Sequence, residues 1–164
     1  MTTLTNDVIY NGSRGNDFKE LVKSVLKIGN LKRRYIELLL NETNLLIYSK
    51  VFTNKTTDPI NNYEMFEKLG DLTANKCIGF HMIRRFPFLD CPEGVKVLAR
   101  LNINYGSKES FFDIAQRLGF WPFISASEEE RNKNMRSLLE DVLEAFIGAT
   151  EIILDNYLKS ECFV

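Results

Sequence analysis

The stretch Tyr63–Asp71, YEMFEKLGD, decides how the rest of the chain is read. It sets Glu64, Glu67 and Asp71 three and four residues apart in an otherwise largely apolar run, a spacing that puts them on one helical face. Followed forward, the face of Glu67 and Asp71 continues through Ala74, Ile78 and Met82, so it starts charged and turns to hydrocarbon. A solvated face would stay polar along its length. The same change recurs near the other end of the chain, where Asp141 and Glu144 share a face that runs on through Gly148 and Ile152. Gly70 and Gly148 lie inside these patterns. A helix-interior Gly costs about 1 kcal/mol against Ala, so its use there points to close helix–helix approach.

Two such helices in contact would gather four carboxylates. A pair roughly 6 Å apart at an effective dielectric of about 20 repels by about 3 kcal/mol, and several pairs would exceed the margin by which a small domain is stable. Either the acids take up protons or a cation sits among them. Lys68 and Lys76 are near in sequence but off the acidic stripe. Hard oxygen ligands suit Mg²⁺ or Mn²⁺. A single acidic stripe would read as solvated surface; two, each leading into an apolar stripe beside a Gly, favour a site.

Around these stripes the pattern is helical throughout. Phe18, Leu21, Val22, Val25 and Leu26 follow Asp17 at helical spacing, with Gly29-Asn30 as a stop. A second helical stretch, Arg33–Phe52, has a break near Asn41-Glu42, and Thr53–Asn62 is loop chemistry. The acidic helix runs from about Asn62 to Arg85 and ends at Pro87; Pro92 opens another helix. Ser107–Phe120 continues helically to Gly119, Ser125–Asn134 is a polar loop or a capped helix start, and Met135 opens the last helix. Phe111-Phe112 and Phe120-Trp121 read as core and loop anchors. No run alternates with period two. The fold class expected is all-α, with six to seven helices around one core.

The chain has 164 residues, 45% of them hydrophobic, enough for one folded domain. Its formal net charge of −1 advertises no nucleic-acid partner, although Lys23–Tyr35 is locally basic. No apolar run is long enough for a bilayer span, and the amino terminus has no signal core. Cys77, Cys91 and Cys162 are widely spaced, the pattern of buried or incidental thiols in a reducing compartment. The only His, His81, lies off the acidic stripe and reads as packed or partly exposed. The expectation is a soluble intracellular protein without a membrane partner.

YEMFEKLGD resembles the NERLEFLGD signature of the ribonuclease III family, and LLEDVLEAFIGATEIILD is similar to its second acidic motif, LADVFEALIGAIYLD. Between them RRFPFLDCPEGVKVLARLNI and FFDIAQRLGF resemble intervening family segments in the right order. The likeness covers about residues 45–155. It implies a ribonuclease III-like endonuclease domain over residues 17–164, after a loosely ordered extension over 1–16. It further implies Mg²⁺-dependent hydrolysis of double-stranded RNA by a metal-activated water, with Mn²⁺ able to substitute, leaving 5′-phosphate and 3′-hydroxyl ends. Glu67, Asp71, Asp141 and Glu144 match the family's metal-site carboxylates, Asp71 and Glu144 the pair called catalytic, and Glu64 a further acid in a supporting catalytic role.

Three positions depart from the pattern. Tyr63 stands where the family has Asn, Glu140 where it has Ala, and Lys68 where an aromatic helps to seal the homodimer. A homodimer is still implied, weakened by Lys68. The chain carries no recognisable double-stranded-RNA-binding domain and ends short of the family's final helical region. Its Asn- and Ile-rich usage fits an AT-rich genome such as a large DNA virus's, which would place it in host cytoplasm. The rival readings are a non-catalytic module of this fold that binds RNA or a protein partner, and a helical interaction domain with no response to divalent metal.

Overall fold

The computed structural model describes residues 14–162, with the side chains of 102–105 and 160–162 left aside. Eight α-helices make up most of it: α1 Gly15–Ile28, α2 Arg33–Leu39, α3 Glu42–Val51, α4 Glu64–Arg85, α5 Pro92–Tyr105, α6 Lys108–Arg117, α7 Glu128–Lys133 and α8 Met135–Cys162. Among the described residues there is no strand, only an isolated bridge between Thr53 and Ser125. The helix beyond the expected six or seven is α7, the segment left open between loop and capped helix.

Local chemistry explains the boundaries. Asn41, Ser107 and Ser127 each accept a hydrogen bond from the backbone N–H three residues on, at Asn44, Ser110 and Glu130, and so start α3, α6 and α7. The first of these caps is why the Arg33–Phe52 stretch breaks into α2 and α3. α4 stops two residues before Pro87, which has no N–H to continue the ladder. Past α1 the left-handed residue is Asn30, at φ 56°, rather than Gly29; past α6 it is Gly119, at φ 76°.

α8 is the axis of the molecule. α4 lies along it, and α6, α3, α2 and α7 also pack against it. The core holds Tyr48, Phe52, Phe120, Leu138, Leu139 and Val142, all fully buried, with the Tyr48 ring stacked on Phe146. The Tyr48 hydroxyl is satisfied by Thr150 Oγ1 at 2.8 Å. Phe111 and Phe120 are buried, and Phe112 and Trp121 pack half-buried at the core's edge.

The reading of 1–16 as a loose extension falls, for residues 1–13, outside the described residues. Its last three positions are ordered: Gly15 and Asn16 belong to α1, and Arg14 is buried. The Arg14 guanidinium donates to Ser49 Oγ and O, to Thr53 Oγ1 and to the Phe123 carbonyl, fastening the start of α1 to the end of α3. Cys77 and Cys91 are both exposed thiols rather than buried ones. No helix is long and apolar enough to cross a membrane, among the described residues.

Candidate active site

The two acidic stripes meet because α4 and α8 cross with almost nothing between their backbones. A Cβ on Gly70 would sit 1.7 Å from the Glu144 carbonyl oxygen. One on Gly148 would sit 2.2 Å from the Phe66 carbonyl oxygen and 2.7 Å from the Gly70 nitrogen. Real Cβ atoms do not occupy such positions, so only Gly fits at either place. The crossing carries Glu67 and Asp71 from one helix toward Asp141 and Glu144 from the other. Beyond it the stripes turn inward as expected: Ala74 and Met82 are buried on α4, and Gly148 on α8.

The acids differ in setting. Glu144 is 9% exposed, and its carboxyl is pushed up to about 7 by burial first, then by the charges of Asp71, Glu140, Glu67 and Asp141. Asp141 is pushed up to about 6, mainly by burial, with Glu67 and Glu140 adding to the rise and the Tyr63 hydrogen bond opposing it. Asp71 is exposed and turned along its own helix, where its Oδ1 accepts from Asn75 Nδ2 at 2.9 Å. Glu67 is half-buried and Glu64 lies at the rim. Glu67, Glu64 and Asp141 line a cleft of about 650 Å³ together with Tyr63, Lys55 and Glu130. Asp71 and Glu144 stand one turn further along their helices.

Three lysines reach in from the edge. Lys55 Nζ is 2.7 Å from Glu64 Oε1, Lys68 Nζ 3.3 Å from Glu67 Oε1, and Lys108 Nζ 3.2 Å from Glu140 Oε1. Lys68, off the stripe by helical geometry, therefore bends back onto it. Their ammonium groups offset part of the negative charge, while burial first and the neighbouring acids second keep Asp141 and Glu144 raised. The donor set is hard oxygen on two rigid helices, which suits a divalent cation of the Mg²⁺ class. In the side-chain rotamers described, no three acidic, His or Cys groups converge to hold an ion, among the described residues.

Motif reading had treated Tyr63 and Glu140 only as departures, yet both belong to the site. The buried Tyr63 hydroxyl donates to Asp141 Oδ2 at 3.0 Å, and Glu140 is a buried fifth carboxylate beside the four. Lys55, Lys108 and Glu130 come from segments whose approach no local pattern announced. His81 is exposed and away from the cleft.

With this geometry in view, comparison with known proteins is specific. The Ribonuclease III domain family matches residues 64–156. A candidate ribonuclease 3 of Invertebrate iridescent virus 6 is 42% identical over 152 residues, covering 93% of this chain and 52% of that protein. One of Frog virus 3 is 44% identical over 135 residues, covering 79% of this chain and 36% of that protein. A solved nuclease domain of ribonuclease III from Campylobacter jejuni, described for structural flexibility in a region involved in dimer formation, is also similar. It aligns with a TM-score of 0.60 at 27% identity, over 75% of this chain and 90% of that one. The chain thus spans about half the length of the first relative and about a third of the second.

Proposed function

This chain belongs to the ribonuclease III family, and from that premise we propose that it hydrolyses double-stranded RNA endonucleolytically with Mg²⁺. The observation that supports the reading is the α4–α8 crossing, where two glycines bring the helix of Glu67 and Asp71 against the helix of Asp141 and Glu144, and burial together with neighbouring acids raises the last two. When bound there, Mg²⁺ or Mn²⁺ would supply Lewis acidity to the attacking water and to the leaving oxygen, giving 5′-phosphate and 3′-hydroxyl ends.

The chain's own groups do the rest. Asp141 and Glu144 sit against hydrocarbon that keeps bulk water off one side of the site, which strengthens every charge interaction in it. Asp71 and Glu144 are the catalytic carboxylates, Glu67 and Asp141 complete the cation set, and Glu64 supports them from the rim, where Lys55 orients it. Lys55, Lys68 and Lys108 place positive charge beside an acidic floor, so a duplex can lay its phosphates on the rim without meeting the carboxylates unscreened. That local ring supports RNA affinity on a chain of net charge −1.

A second copy of the chain fits the outer face of α4. Met65, Leu72, Phe80 and Ile83 are more than half exposed there, a stripe of large apolar groups left uncovered among the described residues. A homodimer through this face would set two clefts on one assembly.

The test is incubation of a long RNA duplex with purified protein at low salt. Cleavage in Mg²⁺ and none in EDTA is the expected result. Binding of the duplex without cleavage in either Mg²⁺ or Mn²⁺ would replace the enzyme reading by that of a non-catalytic RNA-binding module.

A further inference from the structure

We propose that Tyr63 is a positioning residue, which fixes one oxygen of Asp141 and presents the other to a divalent cation. The proposal rests on the metal-site reading above and adds to it a residue that motif comparison registers only as a departure.

The argument is one of hydrogen-bond direction. Asn54 Oδ1 accepts from the Thr56 backbone N–H at 2.9 Å, and a backbone N–H can only donate, so the orientation of the Asn54 amide is settled. Its Nδ2 therefore donates to Tyr63 Oη, at 2.8 Å. With that lone pair engaged, the Tyr63 hydroxyl turns its proton to Asp141 Oδ2 at 3.0 Å, and an ionised carboxylate can only accept. Upstream, Thr56 Oγ1 accepts from the Ser127 N–H at 3.1 Å and donates to Asn54 Oδ1 at 2.7 Å. The chain runs one way, from the residue that caps α7, through Thr56, Asn54 and Tyr63, to the acid. Each bond polarises the next.

Asn54 and Tyr63 are each 4% exposed, so water competes little for their hydrogen bonds. Tyr63 is further held by its backbone N–H, which donates to the Thr53 carbonyl at 3.1 Å, and by its place directly before α4. A rigid phenol at that position reaches across to α8. Asp141 thus has one oxygen held by Tyr63 while the residue lines the cleft. Groups that orient a metal-binding carboxylate in this way typically change metal affinity by about 10–100-fold when removed.

The experiment is Mn²⁺ binding, read as loss of the free-ion signal in electron paramagnetic resonance, on folded protein without RNA. Tyr63→Phe keeps the ring and removes the hydroxyl, and its apparent Mn²⁺ dissociation constant should rise about tenfold. In an Asp141→Ala background the same substitution should have no further effect, whereas a general loss of structure would weaken binding in both backgrounds. Should Tyr63→Phe fail to fold, Asn54→Ala decides. Removal of the donor that orients the hydroxyl should raise the constant about threefold, and no change overturns the proposal. Saturable binding by the parent with an unchanged Tyr63→Phe removes this proposal alone. No saturable binding by the parent removes the metal-site reading and this proposal with it.

Discussion

The two faces of α4 are built on opposite rules. Its inner face uses Gly70 and Ala74 to bring a backbone against α8, and nothing larger than hydrogen fits at Gly70. Its outer face uses Met65, Leu72, Phe80 and Ile83, large groups left more than half exposed among the described residues. One helix therefore closes a cleft on one side and leaves an unsatisfied apolar surface on the other. Small residues mark a contact already made within the chain; large exposed ones mark the surface open to the proposed second copy.

Two glycines of the same helix give the sharpest way to break this comparison. Gly70→Ala pushes a methyl into the Glu144 carbonyl, and only separation of α4 from α8 relieves it. The expected loss is about 3 kcal/mol or more, since the obstacle is backbone rather than a side chain that can turn aside. Gly79, about two and a half turns on, has nothing within 4 Å of an added Cβ. Gly79→Ala should gain up to about 1 kcal/mol from helix propensity. Thermal melts of both variants check the pair, and a Gly70→Ala protein melting with the parent would mean that the crossing is looser than described.

On the outer face, Leu72→Glu places a charge in the middle of the apolar stripe. Leu72 is exposed among the described residues, so the variant's melting should stay close to the parent's when measured below the dissociation constant. The proposed dimer should weaken about a hundredfold, near 3 kcal/mol. Sedimentation over a dilution series reads it. Unaltered association would place the interface elsewhere.

How much of this was legible beforehand follows the same division. The inner face could be read because glycines and acids at helical spacing leave a local trace, and Gly70, Gly148 and the four carboxylates were all picked out from spacing. The break at Asn41-Glu42 before α3 was legible, whereas the segment that forms α7 could be read only as a loop or a capped helix start. What spacing could not give is which distant groups arrive. Lys108 comes to Glu140 from the first turn of α6, and Asn54 reaches Tyr63 from the loop after α3. Arg14 escaped for the same reason, being fastened by partners 35 and more residues away. Such pairings are set by tertiary approach, and no periodicity encodes them.

The acidic end of the inner face also carries a pH signature. In metal-free protein the Asp141 and Glu144 carboxyls titrate near 6 and 7, above their ordinary values of 3.8 and 4.5. The folded state then holds more protons than the unfolded one between about pH 4 and 7, so stability is greatest below that window and falls as pH rises through it. Glu144→Gln removes one of the two groups along with its repulsion. In EDTA at pH 8 it should melt above the parent, by about 2 kcal/mol after allowance for solvent screening, and its melting should vary less with pH. In Mg²⁺ the order should reverse, because only the parent keeps the full carboxylate set, and RNA cleavage should be lost. A variant less stable than the parent in EDTA would make Glu144 a structural ion-pair partner.

Lys68 stands on the border between the two faces and links them. Its side chain is 82% exposed, yet its ammonium turns inward to Glu67 rather than outward toward Leu72. The acid cluster thus draws a residue away from the surface where the family places an aromatic. Lys68→Phe should act on both faces in opposite senses. On the outer face it extends the apolar stripe, and the dimer should tighten about tenfold. On the inner face it withdraws a positive charge from Glu67 and its neighbours, so melting in EDTA should fall slightly and salt should narrow the difference. The two readouts are independent, which is what makes this smallest effect useful. Tightening without the salt-sensitive loss would mean that the Lys68–Glu67 pair does not screen the cluster; the loss without tightening would mean that the partner's surface opposite residue 68 is not apolar.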